Sequence, residues 1–178
     1  MTDRAFLARL RIEPLDRDRH DRAAFRCGVD RVDNFLQKTA ARQQDADHTR
    51  VYVACIDDSV EVIGYYALNA HAIDVTTLPE EARSKLPTYP TISAVYLAMV
   101  GFHLDHRGKG GGTFLMMDAF KRSVGAANII GAYFLVLDAL NERAAKLYRE
   151  LGFVDLPGHG PRMLIAMKRI RQAIAATG

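Results

Sequence analysis

The segment Asp105–Met116, DHRGKGGGTFLM, sets two cations, Arg107 and Lys109, among the glycines Gly108, Gly110, Gly111 and Gly112, directly ahead of an apolar run. A strand ending here and a helix beginning here would make an anion site. The first turn of a helix leaves its N–H groups without intrahelical acceptors and carries about half a unit of positive charge. Glycine lets that backbone approach a phosphate closely, and Arg107 and Lys109 add charge. The same residues also read as a plain glycine turn joining strand to helix. Glycine costs roughly 1 kcal/mol relative to alanine inside a helix, so a run of three favours the ligand.

The common nucleotide patterns do not fit. A P-loop needs Gly-Lys followed by Ser or Thr, whereas Lys109 is followed by Gly110. The dinucleotide fingerprint follows the first strand with an acid roughly 20 residues on, whereas this loop comes late and Asp138 lies about thirty residues beyond it.

The elements that must position the loop are legible in the hydrophobic pattern. Leu7–Leu15 alternates as a first strand, and residues 30–44 read as a helix with Val32, Phe35, Leu36 and Thr39 or Ala40 on one face. Thr49–Ile56 and Val60–Ile73 read as strands joined in a hairpin at Asp57-Asp58. PEEARSKL has helical character, stopped by Pro87 and Pro90. Ile92–Leu104 reads as a strand buried on both faces, Thr113–Val124 as a helix and Ile129–Leu137 as another apolar strand. Asn141–Leu151 reads as a helix with Ala145, Leu147, Tyr148 and Leu151 as its apolar residues, ended by Gly152. Phe153-Val154 and Met163–Met167 close the order β-α-β-β-(α)-β-α-β-α-β-β, a mixed α/β sheet in one domain, residues 1–178.

Composition excludes little. The 178 residues are 49% hydrophobic and 25% charged, with a net charge of +3. No apolar run approaches the roughly 20 residues of a membrane span, and the N-terminus lacks a signal-peptide core, so no membrane partner and a cytoplasmic location are expected. Cys27 and Cys55 lack metal-ligand spacing. Arginines crowd residues 4–31, and Lys168, Arg169 and Arg171 sit near the end. If the termini meet, they form a basic face for a polyanion; otherwise they are a solvated surface.

Arg107, Gly110 and Gly112 fit Arg/Gln-x-x-Gly-x-Gly/Ala, and in this the loop resembles the pyrophosphate loop of the GNAT superfamily of N-acetyltransferases. LVLDALNERAAKLYRELGFV, Leu135–Val154, is similar to the strand–helix–strand that follows there, with Asn141, Ala144 or Ala145, Tyr148, Gly152 and Phe153 at the motif positions. The resemblance implies a GNAT fold: one mixed, mostly antiparallel sheet with splayed central parallel strands, flanked by helices. It implies acetyl-coenzyme A as cosubstrate and no metal. The pyrophosphate would lie on Arg107, Gly108, Lys109, Gly110, Gly111 and Gly112. The main chain of Val100 and Phe102 would pair with the pantetheine arm, with Asn141 reaching it from the next helix. Tyr148 would be the general acid for the leaving thiolate; its reference pKa is about 10 against about 8.5 for a thiol. No general base stands out: Glu80, Glu81, His71 and His103 are candidates, but each reads better as a surface or packing residue. An aminoacyl ester amine, with its low pKa, would need little more than a water relay.

FRCGVDRVDNFLQKTAARQQ, Phe25–Gln44, is similar to the signature of the GNAT-type toxins of bacterial toxin–antitoxin systems. VIGYYALNAHAID, LPEEARSKLPTYPT and GPRMLIAMKRI extend the likeness. It implies aminoacyl-tRNA as substrate and a ribbon–helix–helix antitoxin as partner, and leaves a homodimer open. The alternatives are a housekeeping acetyltransferase of a small amine or protein N-terminus, and an inactive module that keeps coenzyme A as a structural ligand.

Overall fold

Asp3 begins the first element, its carboxylate accepting the Phe6 N–H at 3.0 Å to cap helix α1, Arg4–Arg9. The strand read from Leu7 therefore starts only at Leu10, as β1, Leu10–Pro14. The computed structural model describes residues 2–177. The other strands are β2, Arg50–Ile56; β3, Gly64–Asp74; β4, Thr91–Phe102; β5, Phe134–Asp138; β6, Val154–Asp155; and β7, Arg162–Ala166. They form one sheet in the order β1-β2-β3-β4-β5-β7-β6. Pairing is antiparallel for β1 with β2, β2 with β3, β5 with β7 and β6 with β7. At the centre β4 and β5 run parallel, from Ala94↔Phe134 to Tyr96↔Val136, and β4 continues to Phe102. A parallel pair needs a crossover, and helix α5, Gly111–Ile130, supplies it.

The chain forms two compact units. The first comprises residues up to Asn69 together with Leu97–Phe120. Its core gathers Leu15, Phe25, Val32, Leu36, Val53 and Tyr65. The helix read over residues 30–44 is present but interrupted: α2, Asp30–Asn34, passes through a π turn, Phe35–Thr39, into α3, Ala40–Asp45. The Thr39 hydroxyl donates to the Phe35 carbonyl at 3.0 Å within that turn. The wider turn rotates the following residues, so Ala40 and Ala41 are both buried beyond Leu36.

The second unit comprises Ala70–Tyr96 and the residues from Lys121 onward. Ile73, Ile92, Phe134, Val136 and Leu164 are in its core. Here the sequence reading needs three corrections. PEEARSKL yields only the short helix α4, Glu80–Arg83. Ile129 and Ile130, read as strand, end α5 and are 84% and 76% exposed, because the helix continues until Gly131 at φ 73. After β7 the chain enters a helix absent from the reading, α7, Met167–Thr177. Helix α6, Glu142–Glu150, agrees with the reading.

Candidate active site

In the first unit, β4 ends at Phe102 and a single 3-10 turn, Leu104–His106, leads into the glycine loop. The four glycines serve different purposes. Gly108 and Gly110 have φ of 77 and 89, where a side chain is strained. Gly111 lies against the Phe102 ring, which a Cβ would overlap, and the same ring closes on Gly64 at 2.6 Å from a built Cβ. Phe102 is thus a wedge that fixes the strand end to the start of α5. Gly112 has no such reason: a Cβ there would meet nothing within 4 Å. Bare helical backbone that packs against nothing is the feature expected of a phosphate cradle. Among the described residues, the N–H groups of Gly108, Lys109 and Gly110 have no backbone acceptor.

The two cations of the loop differ. Lys109 sits over the Phe6 ring, 5.0 Å from its centroid. Arg107 instead donates to the Cys27 carbonyl. The residues around Cys27 explain why. The buried Asp33 carboxylate accepts the Cys27 N–H at 2.7 Å, Gln37 donates to the Phe25 carbonyl at 2.7 Å, and Tyr65 donates to the Val32 carbonyl at 2.6 Å. Phe25 and Val32 press on Gly101, where a Cβ would lie 2.8 Å from Val32. The Phe25–Gln44 signature is therefore a scaffold that holds both Gly101, between Val100 and Phe102, and the loop at Arg107. Sequence reasoning missed Asp33; an acid on the apolar face of a helix was the available signal.

In the second unit, Asn141 caps α6, its Oδ1 accepting the Ala144 N–H at 2.9 Å. The cap fixes the helix that presents Tyr148. The sequence reading assigned Asn141 to the ligand and not to this cap; the cap leaves its side-chain amide donors available. Ala145 and Tyr148 are buried, whereas Leu147, read as part of the same face, is 40% exposed because it points a quarter-turn away from Tyr148. Tyr148 packs beside Phe153, ring centroids 5.8 Å apart. It is 8% exposed, and its hydroxyl has no hydrogen-bond partner among the described residues. Burial pushes its pKa up to about 12. The phenol stays protonated throughout the working range of pH, as a proton donor must.

The remaining candidates separate clearly. Glu80 and Glu81 are exposed on α4. His103 contacts the Ala24 carbonyl at 3.2 Å from Nε2 and serves as the cap of the 3-10 turn. His71 packs against Tyr96 with its ring tilted by 33° and lies 3.5 Å from Arg162, which forms a two-pronged pair with Asp138; burial, then the Arg162 charge, lowers the imidazole pKa. His71 is therefore held in its neutral form more readily than an exposed imidazole. No group of three or more potential metal ligands occurs among the described residues. Four of the eight arginines in residues 4–31 are paired with acids: Arg9 with Asp57, Arg11 with Asp58, Arg17 with Asp45 and Arg19 with Glu13. Near the C-terminus Arg171 donates to Asn128, while Lys168 and Arg169 have no ion pair among the described residues.

The sequence pattern of the acetyltransferase (GNAT) family matches residues 15–153. The chain belongs to that family. Its glycine loop, central parallel strands and Tyr148-bearing helix all fall within the matched residues. The chain is 43% identical over 167 residues to the probable toxin TacT of Sinorhizobium fredii, covering 90% of this chain and 92% of that protein. The structure of AtaT complexed with acetyl-methionyl-tRNAfMet matches with a TM-score of 0.85 at 28% identity, over 93% of this chain and 99% of that one. A tyrosine-to-phenylalanine variant of AtaT, bound to the C-terminus of the antitoxin AtaR and acetyl-CoA, matches with a TM-score of 0.79 at 26% identity, over 93% and 98%. The open space at Gly112 and the loop N–H groups without backbone acceptors together form an exposed set of donors at the start of α5.

Proposed function

We propose that this acetyltransferase modifies the α-amino group of aminoacyl-tRNA, blocking translation as a toxin. The observation that carries the reading is the unfilled glycine cradle at the start of α5, where a Cβ on Gly112 would meet nothing within 4 Å. The likeness to TacT and to tRNA-bound AtaT supports the substrate. Residues 1–178 work as one acetyltransferase domain, in the cytoplasm, under the control of a ribbon–helix–helix antitoxin. No helix among the described residues is long and apolar enough to cross a membrane.

The bound coenzyme supplies an activated thioester. The N–H groups of Gly108–Gly112 hold the diphosphate, with Arg107 bracing the loop through Cys27. The main chain of Val100 and Phe102 aligns the pantetheine arm, and the free amide donors of Asn141 meet it from the cap of α6. As the amine nitrogen bonds to the acetyl carbon and the carbon–sulfur bond breaks, Tyr148 gives its proton to the sulfur. The amine loses its proton to water, and Tyr148 is reprotonated from solvent.

The test is incubation of the purified chain with charged tRNA and labelled acetyl-coenzyme A. Label should enter the aminoacyl group of tRNA, with growth arrest on expression in cells. Label entering only a small free amine or a protein N-terminus overturns the toxin reading in favour of a housekeeping enzyme.

A further inference from the structure

The start of α1 is built into the glycine loop. Asp3 donates its N–H to the Lys109 carbonyl at 3.1 Å, and the Phe6 ring stacks on His106 with centroids 5.8 Å apart while lying beneath the Lys109 ammonium. Gly110 is closed off by Thr2 and Leu7, 3.3 and 3.6 Å from a built Cβ. These contacts leave a cavity of about 490 Å³ lined by Thr2, Asp3, Arg4, Gly108 and Lys109. Its charged side chains are Arg4, Lys109 and Asp3, an excess of one positive charge, and the Asp3 carboxylate is already engaged in capping α1. Arg4 contrasts with the arginines that follow it. Arg9, Arg11, Arg17 and Arg19 are each matched to an acid, but Arg4 has no hydrogen bond or ion pair among the described residues.

We propose that this cavity is a second anion subsite, in which Arg4 and Lys109 bind the 3′-phosphate on the adenosine of coenzyme A. The inference rests on the acyl-donor reading of the loop. Gly108 and Lys109 line both the loop and the cavity, so an anion held here lies close to the diphosphate. Coenzyme A carries such a group on the ribose attached to that diphosphate. A phosphate monoester suits an unpaired guanidinium, which meets its oxygens with two parallel N–H donors. Helix α1 thereby becomes part of the donor site, and the cap at Asp3 holds Arg4 in place.

The experiment is calorimetric titration of the full chain with coenzyme A and with dephospho-coenzyme A, which lacks only the 3′-phosphate. The unaltered protein should bind coenzyme A about tenfold or more tightly than the dephospho form. Arg4→Ala should bring that ratio near one while leaving dephospho-coenzyme A affinity unchanged, and Arg4→Lys should restore part of it. An exposed Arg4 makes unfolding by these variants unexpected, and an unchanged melting temperature verifies it. A ratio near one in the unaltered protein, or a ratio indifferent to Arg4→Ala, overturns the subsite and leaves the donor site standing. So does an Arg4→Ala variant that keeps the ratio but raises the Michaelis constant for charged tRNA, since the phosphate would then belong to the nucleic acid. Failure to bind either form overturns the donor reading, and the subsite with it.

Discussion

Tyr148 illustrates how burial shapes a single proton. Its hydroxyl has no partner among the described residues, its ring packs on Phe153, and desolvation alone raises its pKa to about 12. An acid must be protonated to act, and a raised pKa keeps it so; activity should therefore show no alkaline fall from this group below about pH 11. Turnover measured from pH 6 to 10 should rise as the amine deprotonates and then hold level. Tyr148→Phe removes only the hydroxyl, so turnover should drop about 100-fold or more while coenzyme A affinity is retained. Asp33 does its work without touching substrate. Its loss as Asp33→Ala strands the buried Cys27 N–H and should lower stability by about 1–3 kcal/mol in denaturant unfolding. Because Cys27 also accepts from Arg107, coenzyme A affinity should fall with it.

Adjacent glycines at the start of α5 make opposite predictions at the scale of the element. Gly111→Ala drives a methyl into the Phe102 ring, so the wedge between β4 and α5 must shift and the melting temperature should fall. Gly112→Ala meets nothing and adds a better helix former, so stability should hold or rise by up to about 1 kcal/mol. Coenzyme A binding should nonetheless weaken sharply, because the methyl occupies the cradle. Paired thermal melts and titrations of the two variants separate packing glycine from ligand glycine. A Gly112→Ala variant with undiminished affinity would show that the diphosphate does not approach this turn.

Across the whole molecule, charge is arranged by pairing more than by composition. The net charge is only +3, and four of the eight arginines in residues 4–31 are matched to acids at the surface. Exposed pairs of this kind are worth little, so salt alone should barely change the melting temperature. For tRNA, Lys168 and Arg169, which have no ion pair among the described residues, matter more: reversing both to Glu should raise the Michaelis constant several-fold at low ionic strength, with coenzyme A affinity unchanged. Stability should respond to acid in two steps. His71 and His106 are held below the usual imidazole value of 6.5, chiefly by burial, so the unfolded chain takes up more protons and stability declines as pH falls below about 6.5. Asp138 is depressed below 3.8, chiefly by its hydrogen bonds from Arg162. Its contribution is present above the unfolded value and is lost as pH falls through the lower folded one. Melts from pH 7 to 3 should show both declines, and Arg162→Ala should blunt the second.

The sequence by itself determined the order of most strands and helices, the glycine loop ahead of α5, and the spacing that puts Tyr148 on the buried face of α6. Those features repeat at the period of a strand or helix, or lie within a dozen residues, so local pattern carries them. Tertiary structure decided the rest. The stop at Gly131 that ends α5, the wedge of Phe102 between Gly64 and Gly111, and the packing of α1 on the loop left no periodic trace. Nor did the fate of Arg107: its partner Cys27 is 80 positions away, and a glycine-rich motif alone cannot say which acceptor a guanidinium will meet. Paired and unpaired arginines look identical in a sequence. Arg9 reaches Asp57 across 48 positions because β1 and β2 lie side by side, and only that pairing distinguishes it from Arg4, which has no ion pair among the described residues.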